Sequence, residues 1–260
     1  MKKIIILLVF TICSMANAQF GKSRDVVINY ADFDQQRFSW GFYVGMNYFD
    51  FKIHPNKDIP LNEGGALTGT TRYLVACDSK PGFSVSLFGK LRVDDYIDLR
   101  LEPTFHFTQR TLVFNNVQHK IDQDIADGID PYYTDRDVHR DVKATYMDIP
   151  LFLNFHGDRW NNTRPYVQAG LSWISNLQSN EKKEQDNSDQ IFRMKTNNFS
   201  YQLEAGIEIY FKRFKLTPSV KGIFFFNNEL VADNPGTPPL WAGSMKSISS
   251  RAFLFSLKFE

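Results

Sequence analysis

Eight segments of this chain alternate apolar and polar residues with a period of two, and that rhythm limits its possible folds more than any other feature. In an extended strand, successive side chains point to opposite faces, so each segment reads as a strand with one greasy and one polar side. From Phe38, one face carries Phe38, Trp40, Phe42, Val44, Met46 and Tyr48, and the other Ser39, Gly41, Tyr43, Gly45 and Asn47. The second segment sets Phe83, Val85, Leu87, Leu91 and Val93 against Ser84, Ser86, Lys90 and Arg92. The third sets Ile97, Leu99, Leu101, Phe105 and Phe107 against Asp98, Arg100, Glu102, Thr104 and His106. Similar runs pass through Met147 to Phe155, Val167 to Trp173, Phe199 to Phe211, Leu216 to Phe224 and Phe253 to Phe259. Pro218 and the apolar stretch from Ile223 to Phe226 make the seventh the least regular.

The connections also alternate. Short turns at Asp94 to Tyr96, Gly157 to Thr163 and Lys212-Arg213 take turns with long links, among them Ser175 to Asn197 and Asn227 to Ser247. A transmembrane barrel has that asymmetry, with short periplasmic turns and long external loops, whereas a β-sandwich has no reason to keep it. The N-terminus agrees. Met1-Lys2-Lys3 is basic, Ile4 to Ile12 is apolar, and Ala16-Asn17-Ala18 is a small-x-small cleavage pattern, so residues 1–18 read as a secretory leader cut after Ala18. Ile12 is too bulky to precede a lipidated Cys13, and the apolar run is shorter than the roughly 20 residues that span a bilayer.

Composition narrows the class further. Once Lys2 and Lys3 leave with the leader, the formal net charge falls from +1 to about −1, so no bulk charge points to nucleic acid. Of the 2 cysteines only Cys77 survives cleavage, which rules out an internal disulfide. Aromatic residues make up 15%, with 24 Phe, although no apolar 20-mer follows the leader. The expected fold is all-β: an eight-stranded antiparallel up-and-down transmembrane barrel over 37–260, preceded by a periplasmic tail over 19–36. The expected location is the outer membrane, with its lipid as the first partner.

Two sets of side chains follow from the facing. Eight strands enclose an interior just wide enough for side chains to fill. The inward set holds Asp98, Glu102, Asp148, Glu204 and Glu208 together with Lys90, Arg92, Arg100, Lys215, Lys221 and Lys258. Buried charges must pair, so a lumen plugged by salt bridges is expected, with Lys90 or Arg92 opposite Asp98. Trp40, Tyr96, Trp160, Tyr210, Phe211, Phe214 and Phe259 fall at the short-turn end and read as the periplasmic aromatic girdle.

Catalytic and metal signals are weak. His106 is the one candidate base on the inward face, but no Gly-x-Ser-x-Gly elbow or His-Glu-x-x-His pair accompanies it, so no enzyme is expected. Asp122, Asp124, Asp127, Asp130, Asp135, Asp137 and Asp141 make the link from Val113 to Asp141 acidic. Their spacing misses a calcium loop, and a solvated loop without metal is expected. The stretch Leu177 to Asp189 is polar enough to be expected mobile. No cofactor and no small-molecule substrate is indicated.

Several segments resemble one known family. DFDQQRFSWGFYVGMNYFDFKI (Asp32 to Ile53), IDLRLEPTFHFTQRTLVF (Ile97 to Phe114), TYMDIPLFLNF (Thr145 to Phe155), RPYVQAGLSW (Arg164 to Trp173) and the closing FLFSLKFE are similar to the PorT family of Bacteroidetes outer-membrane proteins. The Tyr-x-Asp-Ile-Pro-Leu element is shared by many barrels. The Asp-Phe-Asp opening combined with Leu-Arg-Leu-x-Pro and Thr-Gln-Arg is more specific. The chain departs from the pattern in its loops, where the acidic insertion is long. The resemblance implies a non-enzymatic part in type IX protein secretion and gliding motility, with other secretion-machine subunits as partners and no catalytic residues to carry over. Without it, the residues alone leave open a small barrel for envelope stability or external ligand binding, and more remotely an outer-membrane hydrolase or acyltransferase.

Overall fold

The computed structural model describes residue 29, residues 33–56 and residues 75–260. The expected leader and most of the expected tail lie outside these residues. Ten strands follow in order: β1 (Phe38–Pro55), β2 (Val75–Ser79), β3 (Pro81–Arg92), β4 (Ile97–Leu101), β5 (Thr104–Phe114), β6 (His139–His156), β7 (Thr163–Asn176), β8 (Asn197–Tyr210), β9 (Lys215–Phe225) and β10 (Met245–Phe259). Two pairs are pieces of one longer strand, so ten segments make eight staves. Between β4 and β5, Pro103 has no N–H to give the ladder, yet the register is the same on both sides of the break. Between β2 and β3 an extra residue at Lys80 shifts the register against β5 and swaps which parity faces inward, as a bulge does.

Every stave pairs antiparallel with its chain neighbours, and β1 pairs with both β10 and β3, so the sheet closes with no free edge along the barrel. Met46 faces Phe255 on one side and Phe83 on the other, which places three outward apolar residues side by side. Inward on β1, a Cβ at Gly41 would lie 2.6 Å from the Phe88 ring, so that glycine lets an aromatic fill the bore.

The strands run well past the apolar segments that announced them. β1 has 18 residues, about 60 Å of extended chain, whereas a barrel's apolar belt is only about 25 Å tall. Beyond Tyr48 the outer surface turns polar. Arg251 donates to Asp50 at 2.6 Å and Thr111 to Asp141 at 2.7 Å, both on exposed outward faces. The cylinder therefore projects beyond the belt at its long-loop end.

One expectation about the loops needs correction. The link from Val113 to Asp141 is not a solvated loop: after β5 it forms helix α1 (Asn115–Ala126) and the short α2 (Asp135–Val138) before β6 begins. Val117 and Ile121, four apart and so on one helical face, are buried over the barrel mouth, while the acids take the other faces. In the stretch from Leu177 to Asp189, Ser179, Asp186 and Asn187 are buried, while Lys182 to Gln185 stay exposed. Asp186 and Asn187 bond to the loop at Asp233 to Thr237, which composition by itself does not register. Among the described residues no helix is long and apolar enough to cross a membrane.

Candidate functional site

The bore of the barrel is lined by buried, mostly polar and charged side chains. At its short-turn half, the cations Lys90, Arg100, Lys215, Lys221 and Lys258 match the carboxylates Asp98, Glu102, Glu204, Glu208 and Glu260 one for one. Glu102 is central: Lys221 donates to it at 2.7 Å, Lys258 at 2.5 Å, and an Arg100 nitrogen lies 3.5 Å away. Glu204 shares both lysines and also accepts from the Tyr166 hydroxyl at 2.5 Å. Glu208 and Glu260 share Lys215 at 3.1 and 2.5 Å. Alternate residues of β4, β8, β9 and β10 point inward, so each of these staves delivers one or two charges to the same narrow axis. Buried charges this close persist because each lies beside opposite partners.

Two of the sequence-predicted network members take other places. Arg92 is opposite Asp98 in register, but its guanidinium binds Asp95 at the half-exposed rim. Lys90 reaches Asp98 instead, at 3.9 Å, one pleat deeper in the bore. Asp148 sits apart from the network, where it accepts from the Ser172 hydroxyl and from Gln202 at 2.8 Å. Its other neighbour is His106, whose Nε2 is 3.2 Å away, while Ser84 Oγ lies 2.7 Å from His106 Nδ1. Ser84, His106 and Asp148 thus stand in the order of a hydrolase triad, but they are fully enclosed and Asn47 also donates to the Ser84 oxygen.

Sequence reasoning missed His156 and Glu260. His156 binds Asp98, and its Nδ1 lies 3.7 Å from Glu208. Each is on the inward parity of its strand, two residues beyond Asn154 or Lys258, so counting one more pleat would have found both.

The girdle divides in the same way. Trp40, Tyr96 and Trp160 are each more than half exposed at the short-turn end, with Phe211 and Phe214 stacked 4.8 Å apart and Phe259 against Phe42 at 5.3 Å. Tyr210 does not belong with them. Its parity matches Glu204 and Glu208, so the ring points inward and is 1% exposed. Its hydroxyl donates to Asp34 at 2.6 Å, and the Arg159 guanidinium lies 3.8 Å over its ring. Arg159 also pairs with Asp34 at 3.2 Å, and Asn29 N–H donates to Asn162 at 2.8 Å. Residues of the segment before β1 are therefore pinned across the short-turn mouth.

The opposite mouth is capped by its loops. Phe51, Leu112, Phe114, Val117, Ile121, Phe192, Leu240 and Trp241 form one buried apolar cluster drawn from strands and three loops. Asn116 donates to Leu240 O at 2.6 Å and Trp241 Nε1 to Asp137 O at 2.9 Å. Beneath this cap Arg110 lies 3.7 Å from the centre of the Phe51 ring and donates to the Tyr146 hydroxyl at 2.5 Å. Asp186 ties two loops together, accepting from Thr237 Oγ1 at 2.6 Å and Asn234 N–H at 2.7 Å. Burial opposes the charge on Asp186, but these bonds and one from Ser188 N–H outweigh it and hold the carboxyl below the ordinary Asp range. Among the described residues no group of three or more His, Cys, Asp or Glu side chains is placed to hold a metal ion.

A closed eight-stave barrel with a greasy belt and a charged, filled bore has few homes. The family model for an outer membrane protein beta-barrel domain matches residues 17–231. The chain belongs to that family. This outer-membrane barrel is also similar in structure to AlkL in lipid bilayers, at 12% identity and a TM-score of 0.45, covering 92% of this chain and 94% of that one. OprG from Pseudomonas aeruginosa is 10% identical with a TM-score of 0.41, covering 86% and 96%. Neisserial surface protein A is 13% identical with a TM-score of 0.37, covering 86% and 98%. No curated protein matches this outer-membrane barrel in sequence. Membership places its short turns toward the periplasm and its capped mouth outside.

Proposed function

We propose that this barrel is a non-enzymatic scaffold of the type IX protein secretion machine, acting through its two ends and not through its bore. The observation that carries the scaffold reading is how the lumen is filled: ion pairs from Lys90 to Glu260 occupy the bore among the described residues, and the Phe51–Trp241 cluster covers its far mouth. Such a barrel is best suited to work by what its ends hold. The pinned segment at Asp34 and the short turns offer a docking face toward the periplasm. The secretion assignment itself rests on the PorT-like segments around Asp32 to Ile53 and Ile97 to Phe114.

Deletion of the gene tests it. Cargo with type IX C-terminal signals should then accumulate in the periplasm and return to the surface with the wild-type gene. Normal export in the deletion strain would overturn the secretion role. The second reading, a barrel that binds an external ligand through its loops, is favoured by Ile125, Ile129 and Tyr132, all strongly exposed beside α1. Retention of the phenotype by His106→Ala would exclude a catalytic role for the enclosed triad.

A further inference from the structure

The belt has a dent with a polar recess beside it. Along the outer face of β3, Leu87 and Leu91 flank Gly89, which contributes no side chain, and Phe38, Leu101 and Leu151 wall the sides of a cavity of about 330 Å³. Leu91 is also a wall of the adjoining recess at the periplasmic rim, where Arg37, Arg92, Asp94 and Asp95 meet. The first cavity is purely apolar, faces lipid and lies within the belt. The second contains two guanidinium groups and two carboxylates, so its net charge is zero.

We propose that these joined recesses bind one glycerophospholipid with a zwitterionic ethanolamine headgroup, drawn from the periplasmic leaflet. One acyl chain lies in the trough over Gly89, between Leu87 and Leu101. The phosphate faces Arg37, whose side chain is exposed at the rim, with Arg92 behind it already held by Asp95. The headgroup ammonium, a donor of three hydrogen bonds, faces Asp94. An anionic glycerol headgroup would satisfy the arginines with the same phosphate but bring no cation to Asp94 and Asp95, leaving those carboxylates unbalanced. A choline headgroup would place a methylated cation there without an N–H to donate. Charge balance and donor count therefore both select ethanolamine.

The occupant and its site are tested by native mass spectrometry of the purified full-length barrel, after exchange into mixtures of dioleoyl-phosphatidylethanolamine, -phosphatidylglycerol and -phosphatidylcholine. A single retained phosphatidylethanolamine is expected, bound about tenfold more tightly than phosphatidylcholine. Gly89→Leu fills the trough and should abolish retention. A Cβ there meets only the Phe38 ring, at 3.6 Å, so the barrel has room for it. Arg37→Gln and Asp94→Asn, both at the exposed rim and the second keeping the oxygen that accepts from Asp95 N–H, should each weaken retention by about tenfold. Equal retention of all three lipids, or retention unaffected by Gly89→Leu, would mean ordinary annular lipid and overturn the site. Preference for phosphatidylglycerol would overturn the headgroup assignment.

Discussion

Lys221 on β9 donates to Glu102, at the end of β4, across the bore at 2.7 Å, although 119 residues separate them in the chain. Lys258 reaches the other carboxylate oxygen from β10, so three staves meet at one side chain. β9 and β10 are neighbours in the sheet, but β4 lies across the barrel from both, so the contact exists only once the sheet has closed. Its energetics are those of a buried charge cluster: forming it brings little net stability, but removing one member is costly.

Glu102→Gln therefore leaves Lys221 and Lys258 with Glu204 as their one remaining shared carboxylate and Arg100 short of a partner. The expected cost is about 3–5 kcal/mol, read as a lower urea midpoint for the protein folded in lipid vesicles. A change below about 1 kcal/mol would mean that water reaches this part of the bore.

The segment before β1 should come loose when its anchor is neutralised. Asp34→Asn removes the ion pair with Arg159 and weakens the bond from Tyr210, interactions together worth about 1–2 kcal/mol at this half-buried site. Limited proteolysis from the periplasmic side should cut ahead of β1 roughly tenfold faster, while the barrel stays resistant. An unchanged cutting rate would show that other contacts hold the segment.

Acid should open the outer cap before it affects the staves. The Asp186 carboxyl is held below its ordinary range by three donated bonds. A depressed carboxylate stabilises above its unfolded pKa, and that contribution disappears as pH falls through the folded value. Hydrogen exchange in residues 177–196 and 226–240 should rise as pH is lowered below the usual Asp range, and Asp186→Asn should show raised exchange already at neutral pH. Exchange that rises equally in β6 and β7 would point to global unfolding instead.

Trp241 holds the cap from above, buried against Arg140 at 5.2 Å and donating to Asp137 O. Trp241→Ala should cost about 3–5 kcal/mol, confined to the loops. Protease added to whole cells should then cut between β5 and β6, with no change in the heat resistance of the barrel. Loss of the folded barrel would place the cap in the folding nucleus.

The sequence by itself determined the staves and their facing, because a pleated strand in a membrane has to present apolar residues outward at every second position. Facing in turn identified most of the bore: Glu102, Glu204, Lys215 and Lys221 were legible from parity, and His156 and Glu260 would have been with one more pleat. Tyr210 shows where composition misled, since an aromatic at a turn reads as girdle until its parity is counted. Only the tertiary structure decided who pairs with whom. Arg92 turns to Asp95 and Lys90 to Asp98 because reach and depth, not register, select an ion partner. Only the structure, too, decided the state of the two mouths. Val117 on α1, Phe192 and Trp241 come from separate loops, and no local pattern marks residues that bury one another solely because a closed ring of strands brings their loops to the same opening.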